Sequence, residues 1–170
     1  LIRLHRLFYG PSDQADLLCH VGRTQSQLVV LSGVEILSLS EIPWGVQALA
    51  EKIQVHLELK EEMQGATNLL AQYGLGYAER GGFPEVAKSE SSPEGRDINT
   101  YRAIFQIIAP AVDGFVYECH KAVSYVRSIR ENTSLGTVYL YGLAGLISHL
   151  DRYLEGQLGI PAEGVDVLAR

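Results

Sequence analysis

Apolar and polar positions along the chain change their period several times, and each change marks a predicted element. The first ten residues place leucine and phenylalanine at helical spacing, and a glycine-proline turn follows. Three short runs rich in leucine and valine come next, and the third alternates apolar with polar residues as a half-buried strand does. Short turns separate these runs, which predicts an antiparallel three-stranded meander over residues 16–22, 26–33 and 34–42.

Helical periodicity replaces strand periodicity after residues 43–45. Two helices are predicted up to Gly74, a glycine suited to the end of a helix. Residues 79–97 combine Gly, Pro, Ser and charge with almost nothing to bury, so we expect a flexible surface loop there. Asp97 is predicted to cap a long helix that Pro110 kinks near its middle.

A strand over residues 137–142, a helix from about 145 to 157 and a short strand over 164–168 complete the predicted order. The closing strand–helix–strand unit is typical of a crossover between parallel strands. Together with the meander it predicts an α/β fold of the ribonuclease-H-like plan, in which a mixed sheet carries helices on both faces.

Composition excludes several classes of function. The chain has 170 residues and a net charge of −6, and its 14 basic residues form no stripe, which argues against nucleic-acid binding. No apolar run reaches the roughly 18 residues that a membrane helix needs. Two cysteines are too few for a disulfide framework and favour a reducing compartment. Because a helix is already under way at Leu1, we expect the chain to be a piece of a longer protein.

Two adjacent cysteine–histidine pairs, Cys19-His20 and Cys119-His120, have the residue types of a zinc site. Neighbouring residues of a strand point to opposite faces, so Cys19 and His20 are not expected to hold one ion. The sequence also lacks the Gly-x-Ser-x-Gly elbow of many hydrolases. We therefore predict neither a metal site nor catalytic residues.

Residues 137–161, TVYLYGLAGLISHLDRYLEGQLGIP, place a turn of small residues between a strand and a helix. Together with residues 16–45 and with LKEEMQGATNLL at 59–70, they resemble the second half of PilM-like proteins, an actin-like family of type IV pilus assembly, and more distantly FtsA and GspL proteins. The resemblance implies the actin-like ATPase fold. Residues 1–45 and 97–170 would then form the core subdomain, and residues 46–96 a small, mostly helical lobe.

The resemblance also implies a nucleotide site for ATP with magnesium, at six positions: Gly22, Thr24, Ser26, Gln64, Gly142 and Gly145. Three segments of that site depart from the family pattern. His20 stands where the family has the aspartate that places the metal, Thr67 where it has a lysine, and Leu143 where it has a glycine facing the base. An imidazole cannot replace a carboxylate in holding Mg²⁺. We therefore expect a site that keeps its shape and has lost its chemistry.

The function expected from the sequence is a non-catalytic actin-like scaffold domain without a cofactor. It would serve a type IV pilus or type II secretion-like inner-membrane assembly, as a cytoplasmic protein that reaches the membrane only through protein partners. The alternative is an ATP- or ADP-binding module of a PilM-like ATPase. The Leu143 side chain separates the two, because it excludes adenine if it points into the cleft and leaves room if it packs in the core. The sequence leaves the oligomeric state open, and a homo-oligomer is among the alternatives.

Overall fold

The structure is a computed structural model that describes residues 1–10, 12, 14–59, 63–76, 93–130 and 134–165, with side chains from residue 98 in the helix that begins at Pro93. Its elements, in chain order, are α1 (Ile2–Tyr9), β1 (Ala15–Val21), β2 (Ser26–Ser32), β3 (Glu35–Ile42), α2 (Val46–His56), α3 (Met63–Gln72), α4 (Pro93–Ile129), β4 (Leu135–Gly142), a 3₁₀ turn (Leu143–Leu146), α5 (Leu150–Leu158) and β5 (Ala162–Gly164).

The described strands form one five-stranded sheet in the order β3-β2-β1-β4-β5. β1, β2 and β3 pair antiparallel, as the alternation of the sequence predicts. β4 pairs with β1 in parallel, and β5 pairs with β4 in parallel. The register places Val21 opposite Gly142, so that β1 and β4 end side by side. The predicted mixed α/β sheet is thus confirmed.

Helices lie on both faces of the sheet. On one face, alternate residues of β1 and β2, such as Leu17 and Val30, join a large apolar cluster with α2, α3, α4 and α5. On the other face, Leu18, Val29 and Tyr141 pack under α1 in a smaller cluster. Burial of both faces explains why these central strands are almost continuously apolar. No helix in the described part of the chain is both long and apolar enough to cross a membrane.

The main differences between predicted and observed boundaries concern the long helix, the last helix and the last strand. The long helix begins at Pro93 rather than after a cap at Asp97, because proline suits the first turn of a helix, where its missing N–H is not needed. The predicted loop over 79–97 is therefore wrong for residues 93–97, which are helical, and its residues 79–92 lie outside the described part of the chain.

The last helix and the last strand are also displaced. After β4 the chain makes a 3₁₀ turn, and His149 has a left-handed conformation (φ 62°), so α5 begins only at Leu150. The last described strand is Ala162–Gly164, which begins two residues before the predicted 164–168; residues 166–168 of that prediction lie outside the described part of the chain. The backbone N–H of Val138 already bonds to the carbonyl of Pro161 (2.8 Å), which aligns the chain against β4 before the apolar run begins.

Candidate functional site

The candidate site lies at the carboxyl ends of β1 and β4, where a fold of this type places its ligands. The turn after β1 and the turn after β4 meet there, because the sheet pairs Val21 with Gly142. The lobe helices α2 and α3 pack beside these turns. The sequence segments that carry the resemblance therefore do come together in space.

Gly142 is fixed by backbone geometry. Its φ of 72° lies in the region that favours glycine, and a β-carbon there would stand 2.5 Å from the carbonyl oxygen of Val21 and 3.0 Å from Nε2 of His20. Gly145, three residues later, is exposed, and a β-carbon there would meet no atom within 4 Å. Packing thus requires the first glycine of the turn and leaves the second unconstrained.

The turn between β1 and β2 is joined to the start of α2. The backbone N–H of Val46 donates to the carbonyl of Gly22 (3.2 Å), and that of Gln47 donates to the carbonyl of Arg23 (2.9 Å). These bonds satisfy two N–H groups that a helix start otherwise leaves without a partner. These two N–H groups therefore bond to carbonyl groups of the chain itself and do not point at a phosphate.

Ser26 is buried at the base of this turn, and its hydroxyl donates to the carbonyl of Trp44 (2.7 Å). Trp44 in turn donates from its indole to the carbonyl of Ala111 (2.8 Å) and stacks on Phe115 with ring centroids 4.3 Å apart. Ser26 and Trp44 thus tie the meander to α4. Thr24 is exposed in the turn, as are Arg23 and Gln25.

A cleft of about 300 Å³ opens between the β1–β2 turn, the two lobe helices and the 3₁₀ turn. Leu143 lines it and is 37% exposed, so its side chain lies in the cleft and not in the core. Gln64 lines the cleft too, but its amide donates to Asn68 on its own helix (3.1 Å). The other lining residues are Arg23, Val46, Gln47, Ala50, Met63, Thr67 and Leu146.

Arg23 is the charged residue of this cleft and was missed by the sequence analysis. Its Nε donates to the side-chain carbonyl of Gln47 (3.0 Å), whose amide nitrogen donates to Glu51 (2.7 Å). The chain of contacts links the turn to the first two turns of α2. The sequence signal that could have identified Arg23 is its position, because this cationic residue stands directly between Gly22 and Thr24, two of the predicted site residues.

A larger cavity of about 580 Å³ lies on the other side of the 3₁₀ turn, against the start of α5 and the end of β5. Gly142 and Gly145 line this cavity, whereas Gln64 lines the cleft. The six predicted positions therefore do not line a single pocket. The turn separates Gln64 from the two glycines, because Leu143 and Leu146 line the cleft while Ala144 and Gly145 line the cavity, and Gly22, Thr24 and Ser26 line neither.

His20 and the cysteines are placed by the period of β1. The imidazole of His20 is half-buried on the α1 side of the sheet, next to the position of Gly142. Cys19, one residue earlier, and Cys119 of α4 are free and buried in the opposite cluster. Burial raises the pKa of the Cys19 thiol, with a smaller contribution from Cys119.

A polar cluster that the sequence did not indicate holds α1 on the sheet. The buried imidazole of His5 shares a hydrogen bond with the hydroxyl of Tyr141 (Nδ1 to Oη, 2.9 Å), and its Nε2 lies 3.9 Å from a carboxylate oxygen of Asp16. The other oxygen of Asp16 accepts from the backbone N–H of Thr137 (3.0 Å). Nearby, the Tyr9 hydroxyl donates to the carboxylate of Glu163.

Burial dominates the titration of this cluster. It lowers the pKa of His5 below its usual 6.5, and Asp16 and Glu163 only partly offset that effect, while Arg6 adds to it. Burial also raises the pKa of Asp16, against the opposing hydrogen bond from Thr137 and the charge of His5. The neutral form of His5 is therefore the one that the fold favours.

The sheet order, the helical lobe between β3 and β4 and the turn after β4 define a domain of the actin-like ATPase fold, and solved structures of that class are similar to the chain. One is the PilM–PilN type IV pilus biogenesis complex, with 19% identity, a TM-score of 0.61, and coverage of 97% of this chain and 38% of that chain. Another is MreB 5 of Spiroplasma citri bound to AMPPNP, with 15% identity, a TM-score of 0.61, and coverage of 95% and 52%.

A third similar structure is the ethanolamine utilization protein EutJ from Carboxydothermus hydrogenoformans, with 12% identity, a TM-score of 0.57, and coverage of 95% and 47%. No sequence-family model matches the chain, and no curated protein matches it. At these identities the similarity establishes the fold. The chain spans between 38% and 52% of the length of these three proteins.

Proposed function

We propose that this actin-like domain is a non-catalytic scaffold whose nucleotide site is degenerate. The observation that carries the proposal is Leu143, which lines the cleft between the lobe and the turn. A branched apolar side chain occupies the space where the resemblance expects bare backbone to face a base. Leu146 lines the same cleft, so the wall on this side is apolar over two residues.

Two polar residues, one in the cleft and one on β1, support the same proposal. Thr67 stands where the resemblance implies a lysine, and its hydroxyl donates to the carbonyl of Met63 on its own helix (2.9 Å). His20 stands where a carboxylate would place magnesium, and an imidazole is a poor ligand for that hard cation. With about 300 Å³, the cleft is at the lower end of the range for small-molecule sites.

The partner side of the proposal rests on the similarity to a PilM–PilN complex, which is an assembly of two proteins. We infer that this chain likewise acts through protein partners, in an inner-membrane assembly of the pilus or type II secretion kind. It would be cytoplasmic and would reach the membrane only through those partners. At 19% identity the similarity to that complex establishes the fold alone, so no partner-contacting residues are assigned from it.

Isothermal titration calorimetry of Mg-ATP and Mg-ADP against the full chain tests the proposal. We expect no binding heat from the wild type at about 1 mM nucleotide, a concentration at which a Kd in the micromolar range would saturate the site. Leu143→Ala removes the obstruction, and Leu57→Ala is a matched control, because both leucines are 37% exposed. Circular dichroism establishes that each variant is folded.

The three proteins distinguish the outcomes. Binding by Leu143→Ala alone would identify this side chain as the barrier. No binding heat from any of the three proteins would leave the scaffold proposal in place and would assign the loss of nucleotide binding to Thr67 and His20 as well. Micromolar binding by the wild type would overturn the proposal.

The second candidate is an ATP- or ADP-binding module with altered contacts. It is favoured by the similarity to an AMPPNP-bound MreB 5 and by the cation of Arg23 beside the cleft. Guanidinium groups suit phosphate oxygens. In that case Arg23→Ala would weaken the nucleotide binding of the wild type by about tenfold or more, since a charged hydrogen bond is worth ~1.5–3 kcal/mol.

A further inference from the structure

The cleft between the lobe and the 3₁₀ turn is lined mainly by apolar side chains. Val46 and Ala50 of α2 line it and are buried in the large apolar cluster of the domain. Met63 of α3 and the two leucines of the 3₁₀ turn, Leu143 and Leu146, also line it and keep part of their surface open. An apolar group placed in the cleft would therefore contact apolar side chains from three elements.

The neutral polar residues of the cleft form hydrogen bonds within the chain. Gln64 and Thr67 each donate to a neighbour on α3 (3.1 and 2.9 Å). Gln47 uses both ends of its amide, because it accepts from Arg23 and donates to Glu51. A ligand that depends on several polar contacts, such as a nucleobase, would have to displace these bonds.

Arg23 gives the cleft its charge, and its side chain is held in place. Its Nε donates to Gln47 (3.0 Å), whereas its terminal nitrogens form no ion pair with a carboxylate in the part of the chain that the structure describes. Among the described residues no acidic side chain lines the cleft, and Glu51 is reached only through Gln47. Because a guanidinium group pairs with a carboxylate through parallel hydrogen bonds, this side of the cleft is complementary to a carboxylate.

An amino-acid side chain suits the cleft better than a nucleotide does. A polyphosphate needs several donors, and the two N–H groups at the start of α2 already bond to the carbonyls of Gly22 and Arg23. An apolar side chain needs no donor, and a small desolvated pocket is where such anchors contribute most to binding between proteins. The flexible side chain of Met63 can adapt to the shape of the anchor.

We propose that the cleft docks a partner protein: one apolar side chain of an extended partner segment enters between Met63, Leu143 and Leu146, and Arg23 binds the carboxylate of an adjacent aspartate or glutamate. The inference rests on the proposed function, because it requires a cleft free of nucleotide. It defines the partner of the scaffold as an acidic segment with an apolar anchor. Since the chain as a whole carries −6, the acidic segment is recognised by this local pairing and not by the overall charge.

The methyl group of Met63 reports on the cleft by NMR, because it belongs to the single methionine of the chain. The full chain, labelled with ¹³C at this methyl group, is titrated with acetyl-Glu-Leu-Glu-amide. We expect a saturable shift of the resonance with a Kd in the millimolar range. Acetyl-Gln-Leu-Gln-amide lacks the charge and acetyl-Glu-Ala-Glu-amide lacks the anchor, so each should bind about threefold or more weakly.

Matched variants test the role of the cation. Arg23→Gln should weaken the binding of the acidic leucine peptide by about threefold or more, to the affinity of the neutral peptide, and should leave the neutral peptide unaffected. Lys52→Gln is the control, because Lys52 is an exposed cation of α2 that does not line the cleft. Leu143→Ala should weaken both leucine peptides alike, since it removes part of the apolar wall.

A titration with Mg-ATP in the same assay separates this inference from the proposed function. A shift of the Met63 resonance at micromolar nucleotide would overturn both. With no response to nucleotide, the docking proposal alone is overturned if no peptide gives a saturable shift up to about 20 mM, if the three peptides bind equally, or if Arg23→Gln and Lys52→Gln have the same effect.

Discussion

Replacing Gly142 by alanine should destabilise the domain far more than the same change at Gly145. Both glycines belong to the turn after β4, and both would be expected to face a ligand in a nucleotide-binding relative. In this structure only Gly142 has a positive φ, 72°, and only there would a β-carbon stand 2.5 Å from the carbonyl oxygen of Val21. Gly145 has open space around it.

Two structural costs add at Gly142. A non-glycine residue held in a sparsely populated region of φ and ψ costs about 1–3 kcal/mol. Forcing an extra carbon into a closed contact costs about 1–3 kcal/mol more. The sum of ~2–6 kcal/mol is a large share of a typical domain stability of ~5–15 kcal/mol. For a chain of this size it lowers Tm by about 5–20 °C.

Urea and thermal unfolding followed by circular dichroism measure both variants against the wild type. Gly145→Ala should change the free energy of unfolding by about 1 kcal/mol or less, in the stabilising direction, because alanine restricts the unfolded chain. If the two alanine variants unfold within about 0.5 kcal/mol of each other, the geometric explanation of Gly142 is wrong. The glycine would then be present for another reason, such as the approach of a ligand.

Two further predictions concern groups outside the cleft. Because the folded pKa of His5 lies below its usual 6.5, the unfolded state binds more protons in the window just below that value, and stability should fall as the pH drops through it. Asp16 acts in the opposite sense: its folded pKa lies above the usual 3.8, so the stability that it contributes is lost as the pH rises above that value. Asp16 is present in both the wild type and the His5→Gln variant. The advantage of the wild type over His5→Gln, measured by urea unfolding, should therefore shrink from pH 7.5 to 5.5, and parallel pH profiles would contradict this. Ser26→Ala removes the hydrogen bond to the Trp44 carbonyl and should lower the free energy of unfolding by about 1–3 kcal/mol in the same assay. The control, Ser124→Ala on the exposed face of α4, should lower it by about 0.5 kcal/mol or less. Equal losses would refute a structural role for Ser26.

Local pattern was sufficient to predict the meander and the α/β class. The alternation of β3 and the turn at Gly33 are short-range signals, and the structure pairs β1, β2 and β3 antiparallel as they indicate. The boundaries near the carboxyl end were harder, since β5 is aligned by its pairing with β4 rather than by its own apolar residues. The left-handed conformation of His149, which delays α5, has no sequence signal of its own.

The arrangement of the candidate site could be predicted only in part. The resemblance identified which segments converge, but it could not indicate that the 3₁₀ turn sends Leu143 to one side and Gly145 to the other. That division depends on a φ value at Gly142 and on contacts between residues more than 100 positions apart. The polar cluster of His5, Tyr141 and Asp16 likewise joins three elements distant in sequence.

The attachment of the lobe bears on whether the cleft could close on a ligand. At the end of α3, the backbone N–H of Leu75 donates to the carbonyl of Ser148 (2.9 Å), and the N–H of Ser148 donates to the carbonyl of Leu70 (3.4 Å). Gly74 packs so tightly on Ser148 that a β-carbon would stand 2.6 Å from its carbonyl oxygen. A hinge needs residues free to change their backbone angles, and these are held by neighbours on both sides. Leu70 and Ala66 also belong to the same apolar cluster as the sheet. The lobe and the turn after β4 are therefore expected to move as one body, which suits a rigid surface for protein partners better than a cleft that opens and closes around a nucleotide.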